Sequence, residues 1–198
     1  MEIFVQQNWF ARSKTRGTKR FIWRALFFEK FFNVVSTWTG TEKQIRDFQS
    51  GSWAVEVKTT HGNNHQKVHI SSERQLDTTN LETMFLYHIS LEKQQNSGET
   101  LNDIVDSVTD ILRAETIALN KFKSKIYEVG YFDLQRNLYE NIGYHIRQDE
   151  FYKVEKDFPR IEENDLRIGV GDVKYSIILS QCATFSISES EVFDTLIP

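Results

Sequence analysis

The clearest pattern along the chain is a strict alternation of side chains over residues 52–60. Its two alternating sets are Trp53, Val55 and Val57, and Ala54, Glu56 and Lys58. This alternation predicts a β-strand, and the turn-forming residues 49–52 join it to a second predicted strand, 44–48, as a hairpin. Because successive side chains of a strand point to opposite faces, Glu56 and Lys58 share one face and lie about 6–7 Å apart.

Other periodic segments predict an alternation of helices and strands. Apolar residues at helical spacing predict helices over about 18–35, from Thr100 onward, over about 115–126, over about 131–141 and over 189–196. Thr18 is the predicted cap of the first helix, and Gly143 the predicted end of the helix at 131–141. Apolar runs predict strands over 67–70, 84–91, 150–154, 174–179 and 184–187. A short helix capped by Ser71 or Ser72 carries Gln75. The chain thus begins as helix, three strands, helix, strand.

Composition indicates one ordinary domain with enough apolar residues for a core. The chain has 198 residues, of which 39% are hydrophobic and 26% charged, close to the average for globular proteins. A single cysteine, Cys182, excludes an intramolecular disulfide, and we expect it to be a buried small hydrophobe. No apolar run reaches the roughly 18 residues that span a membrane, and no secretory signal is recognised. We therefore expect a cytoplasmic protein with no membrane association.

Charge is unevenly distributed, with a basic N-terminal segment and an acidic C-terminal half. The net charge is −4, yet residues 12–30 carry seven basic residues and one acid, Glu29. Such a segment is either a solvated basic face or a set of phosphate contacts to nucleic acid. The candidate DNA-binding residues are Arg16, Lys19, Arg20 and Arg24.

Candidate chemistry lies in the hairpin, where charged groups interrupt an apolar context. The first predicted strand carries Asp47, and Glu56 and Lys58 lie inside the second. Two carboxylates and the Val57 carbonyl are ligands that Mg²⁺ prefers, and an ammonium beside them can orient a water that attacks a phosphodiester. A cross-strand ion pair between Glu56 and Lys58 on a solvated face is the structural alternative. Gln75 is likewise either a helix surface residue or a site residue.

The segment Asp47–Thr60, with the elements around it, resembles the PD-(D/E)XK nuclease superfamily. Trp38-Thr39-Gly40 and Ser72-Glu73-Arg74-Gln75-Leu76 extend this resemblance to one bacterial branch, the "PD-(D/E)XK motif protein" family encoded near restriction-modification and phage-defence genes. The closing segments Tyr152–Ile161 and Val170–Cys182 are also similar to that branch. The similarity therefore covers about residues 18–186.

This resemblance implies a restriction-endonuclease-like α/β fold with a mixed central sheet flanked by helices. It implies a single domain over residues 1–198, with a core over about 18–95 and a C-terminal helical and β elaboration over about 100–198. The implied catalytic residues are Asp47, Glu56, Lys58 and, as an auxiliary residue, Gln75; the implied metal ligands are Asp47, Glu56 and Val57. The implied cofactor is Mg²⁺, for which Mn²⁺ can substitute, and the implied substrate is double-stranded DNA.

The N-terminal region departs from that branch. Trp23 and Arg24 stand where its members carry a glycine and an acid, and Glu29, more than a helical turn later, is a candidate replacement. The N-terminal segment is also shorter than expected for the branch. Two hypotheses follow: an active endonuclease of restriction or defence type, acting as a homodimer or with other defence subunits, and an inactive DNA-binding or assembly subunit. A structural partner protein with no nucleic-acid role is a weaker third hypothesis.

Overall fold

A computed structural model of the chain describes residues 31–42, 44–62 and 66–196. Most of the predicted first helix lies outside these ranges. The candidate residues that also lie outside them are Arg16, Lys19, Arg20, Arg24 and Glu29.

The described residues form both helices and strands. The helices are α1 (Phe31–Thr37), α2 (Leu101–Ile111), α3 (Thr116–Glu128) and α4 (Glu189–Leu196). The strands are β1 (Phe48–Ser50), β2 (Trp53–His61), β3 (Lys67–Ile70), β4 (Thr83–Gln95), β5 (Glu99–Thr100), β6 (Ile142–Lys153), β7 (Tyr175–Ile178) and β8 (Ser186–Ile187). Short 3₁₀ helices connect them at Gly40–Glu42, Glu73–Gln75, Leu112–Ala114, Asp133–Tyr139, Glu163–Asp165, Leu179–Gln181 and Ala183–Phe185. None of these helices is long and apolar enough to cross a membrane.

The central sheet confirms the predicted α/β class. Its strand order is β1-β2-β4-β6-β5, with β8 beside β6. Strands β2 and β4 are parallel, whereas the other neighbours are antiparallel, so the sheet is mixed. Helix α2 begins at a capping box, in which Thr100 accepts from the backbone of Asp103 and the Asp103 carboxylate accepts from Thr100, so two backbone groups of the helix start are satisfied.

Both faces of the sheet are covered, which makes β2 buried along most of its length. The face that carries Val55 and Val57 packs against apolar residues of all four helices. The opposite face packs against a second sheet, in which β3 pairs with β7. Glu56 and Lys58 lie on this second face, and both are buried. A solvated face for this pair, the structural alternative, is therefore wrong.

Several elements differ from their predicted place or extent, among them β1, which occupies Phe48–Ser50 rather than 44–48. Strand β3 has the predicted bounds but belongs to the second sheet rather than the central one. The helix predicted at 131–141 is a 3₁₀ helix, Asp133–Tyr139, and Gly143 lies in β6 instead of closing a helix. A Cβ on Gly143 would lie 2.0 Å from the Ser97 carbonyl oxygen, so this glycine permits a close backbone approach. Strand β6, of which only 150–154 was predicted, is an inner strand of the central sheet.

Candidate active site

The hairpin of β1 and β2 brings the two acids together. Its turn is Gly51–Ser52, closed by the pair Ser50 and Trp53. Gly51 has a φ of 52°, as two-residue hairpin turns require and as glycine adopts without strain. Phe48 is opposite Val55, so Asp47 lies beside Glu56 at the next position of the register.

Asp47 is held from two sides. It is 2% exposed, and its Oδ2 accepts a hydrogen bond from the Val57 N–H at 2.9 Å. Its carbonyl oxygen accepts from the N–H groups of Thr39 and Gly40 at 2.9 and 3.0 Å. Gly40 also approaches the carboxylate itself, since a Cβ on it would lie 2.7 Å from Asp47 Oδ1. The carboxylate therefore has a defined position against β2.

Lys58 joins Glu56 to Gln75. The Lys58 ammonium lies 3.0 Å from Glu56 Oε1 and donates to Gln75 Oε1 at 2.9 Å. The same Gln75 oxygen accepts from the Ser71 N–H at 2.8 Å. Glu56 is 0% exposed, and Lys58 and Gln75 are each 8% exposed. Gln75 is thus buried beside the pair, and its alternative role as a helix surface residue is wrong.

Burying these charged side chains costs free energy of folding. Desolvating two ions costs several kcal/mol each in effective terms, and a buried pair often contributes no net stability over apolar residues of similar size. The chain nevertheless places Asp47, Glu56 and Lys58 in one buried hairpin. Such a concentration of ionised groups is typical of a functional site.

Comparison with known proteins finds a family match over most of the chain. A protein-family model described as "Putative PD-(D/E)XK family member, (DUF4420)" matches residues 27–180. The chain belongs to this PD-(D/E)XK family. The matched region contains Asp47, Glu56, Lys58 and Gln75, and membership supports a nuclease-like function. No curated protein and no solved structure matches the chain.

Arg46 is a neighbour of the PD-(D/E)XK site that the sequence pattern does not single out. Its guanidinium donates to the Asp77 carbonyl oxygen at 2.6 Å and to Gln49 Oε1 at 3.1 Å. Burial lowers the pKa of Arg46, while the negative charges of Asp77 and Glu56 oppose that shift. Arg46 therefore adds a positive charge near Glu56. An arginine beside an aspartate is too common in sequences to indicate this role.

A polar row continues from Lys58 across the sheet. Lys58 is in register with His88 of β4, which is in register with Glu150 of β6. His88 is 2% exposed, and its Nε2 lies 2.9 Å from Thr60 Oγ1. The Tyr152 hydroxyl donates to Glu150 Oε2 at 2.7 Å. In the sequence, only His88, a polar residue inside the apolar run 84–91, indicates that such a row exists.

Glu73 links the PD-(D/E)XK site to a distant loop. Its side chain is 1% exposed, and its carboxylate accepts from the Val173 N–H at 2.8 Å. Backbone N–H groups, its own first and then those of Val173 and Asp172, hold the pKa of Glu73 below its usual value, although burial acts in the opposite direction. The loop that ends at Val173 is thereby attached two residues from Gln75.

His61, His69 and Cys182 are further residues with reactive side chains. His61 and His69 are exposed, and His69 Nδ1 lies 2.8 Å from Ser176 Oγ. Cys182 is fully buried, as predicted, and burial, followed by the charge of Glu150, raises its pKa to about 11. Among residues 31–42, 44–62 and 66–196, no three His, Cys, Asp or Glu side chains are grouped so that they could hold a metal.

Proposed function

We propose that the chain is a divalent-metal-dependent DNA endonuclease of restriction or phage-defence type. Its reaction is hydrolysis of phosphodiester bonds in double-stranded DNA, in the cytoplasm. The observation that carries this proposal is the meeting of Asp47, Glu56 and Lys58 in one buried hairpin of a PD-(D/E)XK family protein. PD-(D/E)XK nucleases generally use divalent metal ions.

The donor set fits a hard divalent cation. Asp47 and Glu56 offer carboxylate oxygens from neighbouring positions of the hairpin. The Val57 N–H points toward Asp47, and because the N–H and C=O of one strand residue point to the same edge, the Val57 carbonyl is directed there too. Mg²⁺, or Mn²⁺ in its place, would be held by these three groups. The ion would neutralise charge on the phosphoryl oxygens and lower the pKa of a bound water.

Lys58 has the contacts of a residue that positions a water or a phosphate. An ammonium has three donors, and two of them are directed at Glu56 Oε1 and Gln75 Oε1. The third donor is proposed to hold the attacking water or to stabilise a phosphoryl oxygen. Gln75, itself held by the Ser71 N–H, keeps the ammonium in place.

Plasmid nicking in the presence of Mg²⁺ tests the proposal. The parent chain is expected to convert supercoiled DNA to open-circular and linear forms, and Lys58→Ala to lose most of this activity. Lys123→Ala is the matched control, because Lys123 is exposed on α3. Equal cleavage by the parent and Lys58→Ala would refute the assignment.

A second candidate is a nuclease-fold DNA-binding or assembly subunit without turnover. It is favoured by Trp23 and Arg24, which stand where members of the resembled branch carry a glycine and an acid. Calorimetric titration separates the two candidates. Retained DNA binding without any Mg²⁺ or Mn²⁺ binding supports the inactive subunit, whereas metal binding that is lost in Glu56→Gln supports the enzyme. In either case the chain is proposed to act as a homodimer or with other subunits of a defence system.

A further inference from the structure

The loop between Leu166 and Lys174 displays an apolar tip. The Val170 N–H donates to the Arg167 carbonyl oxygen at 3.0 Å, which closes a four-residue turn. Gly169 has a φ of 89°, as the third position of a type II turn requires. Ile168 therefore occupies the second position, at the tip, and its side chain is fully exposed, while Val170 is 55% exposed. Two aliphatic side chains thus project from one defined turn.

The same loop carries two positively charged side chains that form no ion pair with the described residues. Within residues 31–42, 44–62 and 66–196, Arg167 is the one arginine whose side chain makes neither a hydrogen bond nor an ion pair. Lys174 is also exposed and lies within 4.0 Å of no carboxylate of the described residues. The segment 166–174 contains these two cations and one acid, Asp172. An exposed aliphatic tip between cations is suited to a surface that is apolar inside and anionic outside.

The loop is attached to the candidate active site. Its end is held by the bond from the Val173 N–H to Glu73 at 2.8 Å. Glu73 begins the 3₁₀ turn whose last residue, Gln75, accepts from Lys58. Ile168 is five residues from Val173, so a fully extended chain would place it at most about 18 Å away. At about 3.4 Å per base step, that distance corresponds to about five base pairs.

We infer that this loop is a DNA wedge, in which Ile168 inserts between base steps of the duplex while Arg167 and Lys174 contact the flanking phosphates. Aliphatic wedges flanked by cations are an established way for proteins to unstack and bend DNA from the minor groove. The inference rests on the proposed function, since it requires that the chain bind duplex DNA. It assigns to the loop the unstacking and bending of the DNA beside the scissile phosphate.

Fluorescence of 2-aminopurine tests the wedge, because this base analogue brightens when it is unstacked. The probe is a mixed-sequence duplex of about 30 base pairs, about three helical turns, with 2-aminopurine placed at successive positions. Ca²⁺ replaces Mg²⁺ so that cleavage does not interfere. We expect the parent chain to raise the fluorescence at one or two positions and Ile168→Ser to abolish the rise. We expect Arg167→Gln to reduce the slope of log K against log salt concentration by about 0.9.

Two matched variants serve as controls. Leu134→Ser removes an aliphatic side chain that is 98% exposed on the 3₁₀ helix Asp133–Tyr139. Arg113→Gln removes an exposed arginine that is paired with Asp110. Both are expected to match the parent in fluorescence and salt dependence.

The outcomes separate this inference from the proposed function. If the parent cleaves and binds DNA but Ile168→Ser behaves like Leu134→Ser, the wedge is wrong and the endonuclease stands. If Ile168→Ser alters only self-association in sedimentation experiments, the tip contacts protein and the wedge is again wrong. If the parent neither binds nor cleaves the duplex, both are overturned.

Discussion

Gly40→Ala is the sharpest single test of how the site is built. Gly40 does not have a positive φ, so alanine suits its backbone conformation. The difficulty is space, because a Cβ would lie 2.7 Å from Asp47 Oδ1 and 3.3 Å from Asp47 Cα. Ordinary contacts begin at 3.4 Å, so the carboxylate oxygen must move by the difference, 3.4 − 2.7, or about 0.7 Å. Because the Asp47 Cα is also close, the clash is removed mainly by rotation of the Asp47 side chain.

That rotation breaks the bond from the Val57 N–H to Asp47 Oδ2. Loss of a hydrogen bond to a charged group costs about 1.5–3 kcal/mol, and the lower entropy of unfolded alanine relative to glycine offsets about 0.4–1 kcal/mol. The net loss of unfolding free energy is then about 0.5–2.6 kcal/mol. Activity is expected to fall further, since a displacement of about 1 Å at a reacting centre can reduce rates about 100-fold. For this shift, a decrease of about 10- to 100-fold is expected.

Urea unfolding and plasmid nicking with Mg²⁺ measure the two effects, and hydrogen exchange at the Val57 amide reports the broken bond directly. Ser124→Ala is the control, since Ser124 is exposed on α3, outside the candidate site and the loop 166–174. The control should cleave like the parent. If Gly40→Ala also cleaves like the parent and keeps the Val57 amide protected, Asp47 is not a metal-binding or catalytic carboxylate held in the position described above.

Two further predictions concern the groups that support the site. The pKa of folded Glu73 lies below its unfolded value of 4.5. The stabilisation that ionised Glu73 contributes is therefore present above about pH 4.5 and is lost as pH falls through the folded pKa. The difference in unfolding free energy between Glu73→Gln and the parent should shrink from pH 7 to pH 3, and an unchanged difference would contradict this. The Lys125 ammonium, 3% exposed, donates hydrogen bonds to the Trp38 carbonyl oxygen and, at 2.6 Å, to Glu42 Oε1. Lys125→Met should lower the free energy of unfolding by about 1–3 kcal/mol. It should also raise the pKa of Glu42, measured by NMR, because Lys125 is the main cause of the lowered pKa of that carboxylate.

The hairpin could be predicted because its information is local. Alternating side chains in β2 and a glycine in the preceding turn are both visible within residues 49–60. Once the turn is two residues long, the residue of β1 that pairs with each residue of β2 is fixed. The boundary was displaced, since β1 occupies Phe48–Ser50 rather than 44–48, because four turn-forming residues do not show which two make the turn.

Long-range partners could not be predicted in the same way. The pairing of β3 with β7 joins residues more than 100 positions apart, and nothing in Lys67–Ile70 specifies whether its partner is β2 or β7. The bond between Glu73 and Val173 is equally distant in sequence. The polar row through His88 depends on the register of three strands, so it becomes visible only when β4 and β6 are placed beside β2.

The candidate site is supported by segments outside the hairpin as well as by the hairpin itself. Lys58 depends on Gln75 for one acceptor, and Gln75 lies in a 3₁₀ turn that Ser72 caps and Glu73 ties to the loop before β7. That loop carries the exposed tip at Ile168, so any contact at the tip acts on a segment bonded two residues from Gln75. Insertion of Ile168 into a substrate would thus be transmitted through Glu73 to the position of the Lys58 ammonium. The 3₁₀ turn Glu73–Gln75 thus holds Lys58 through Gln75 and is bonded through Glu73 to the loop that carries Ile168, which is why residues on each side of this turn are the informative ones to change.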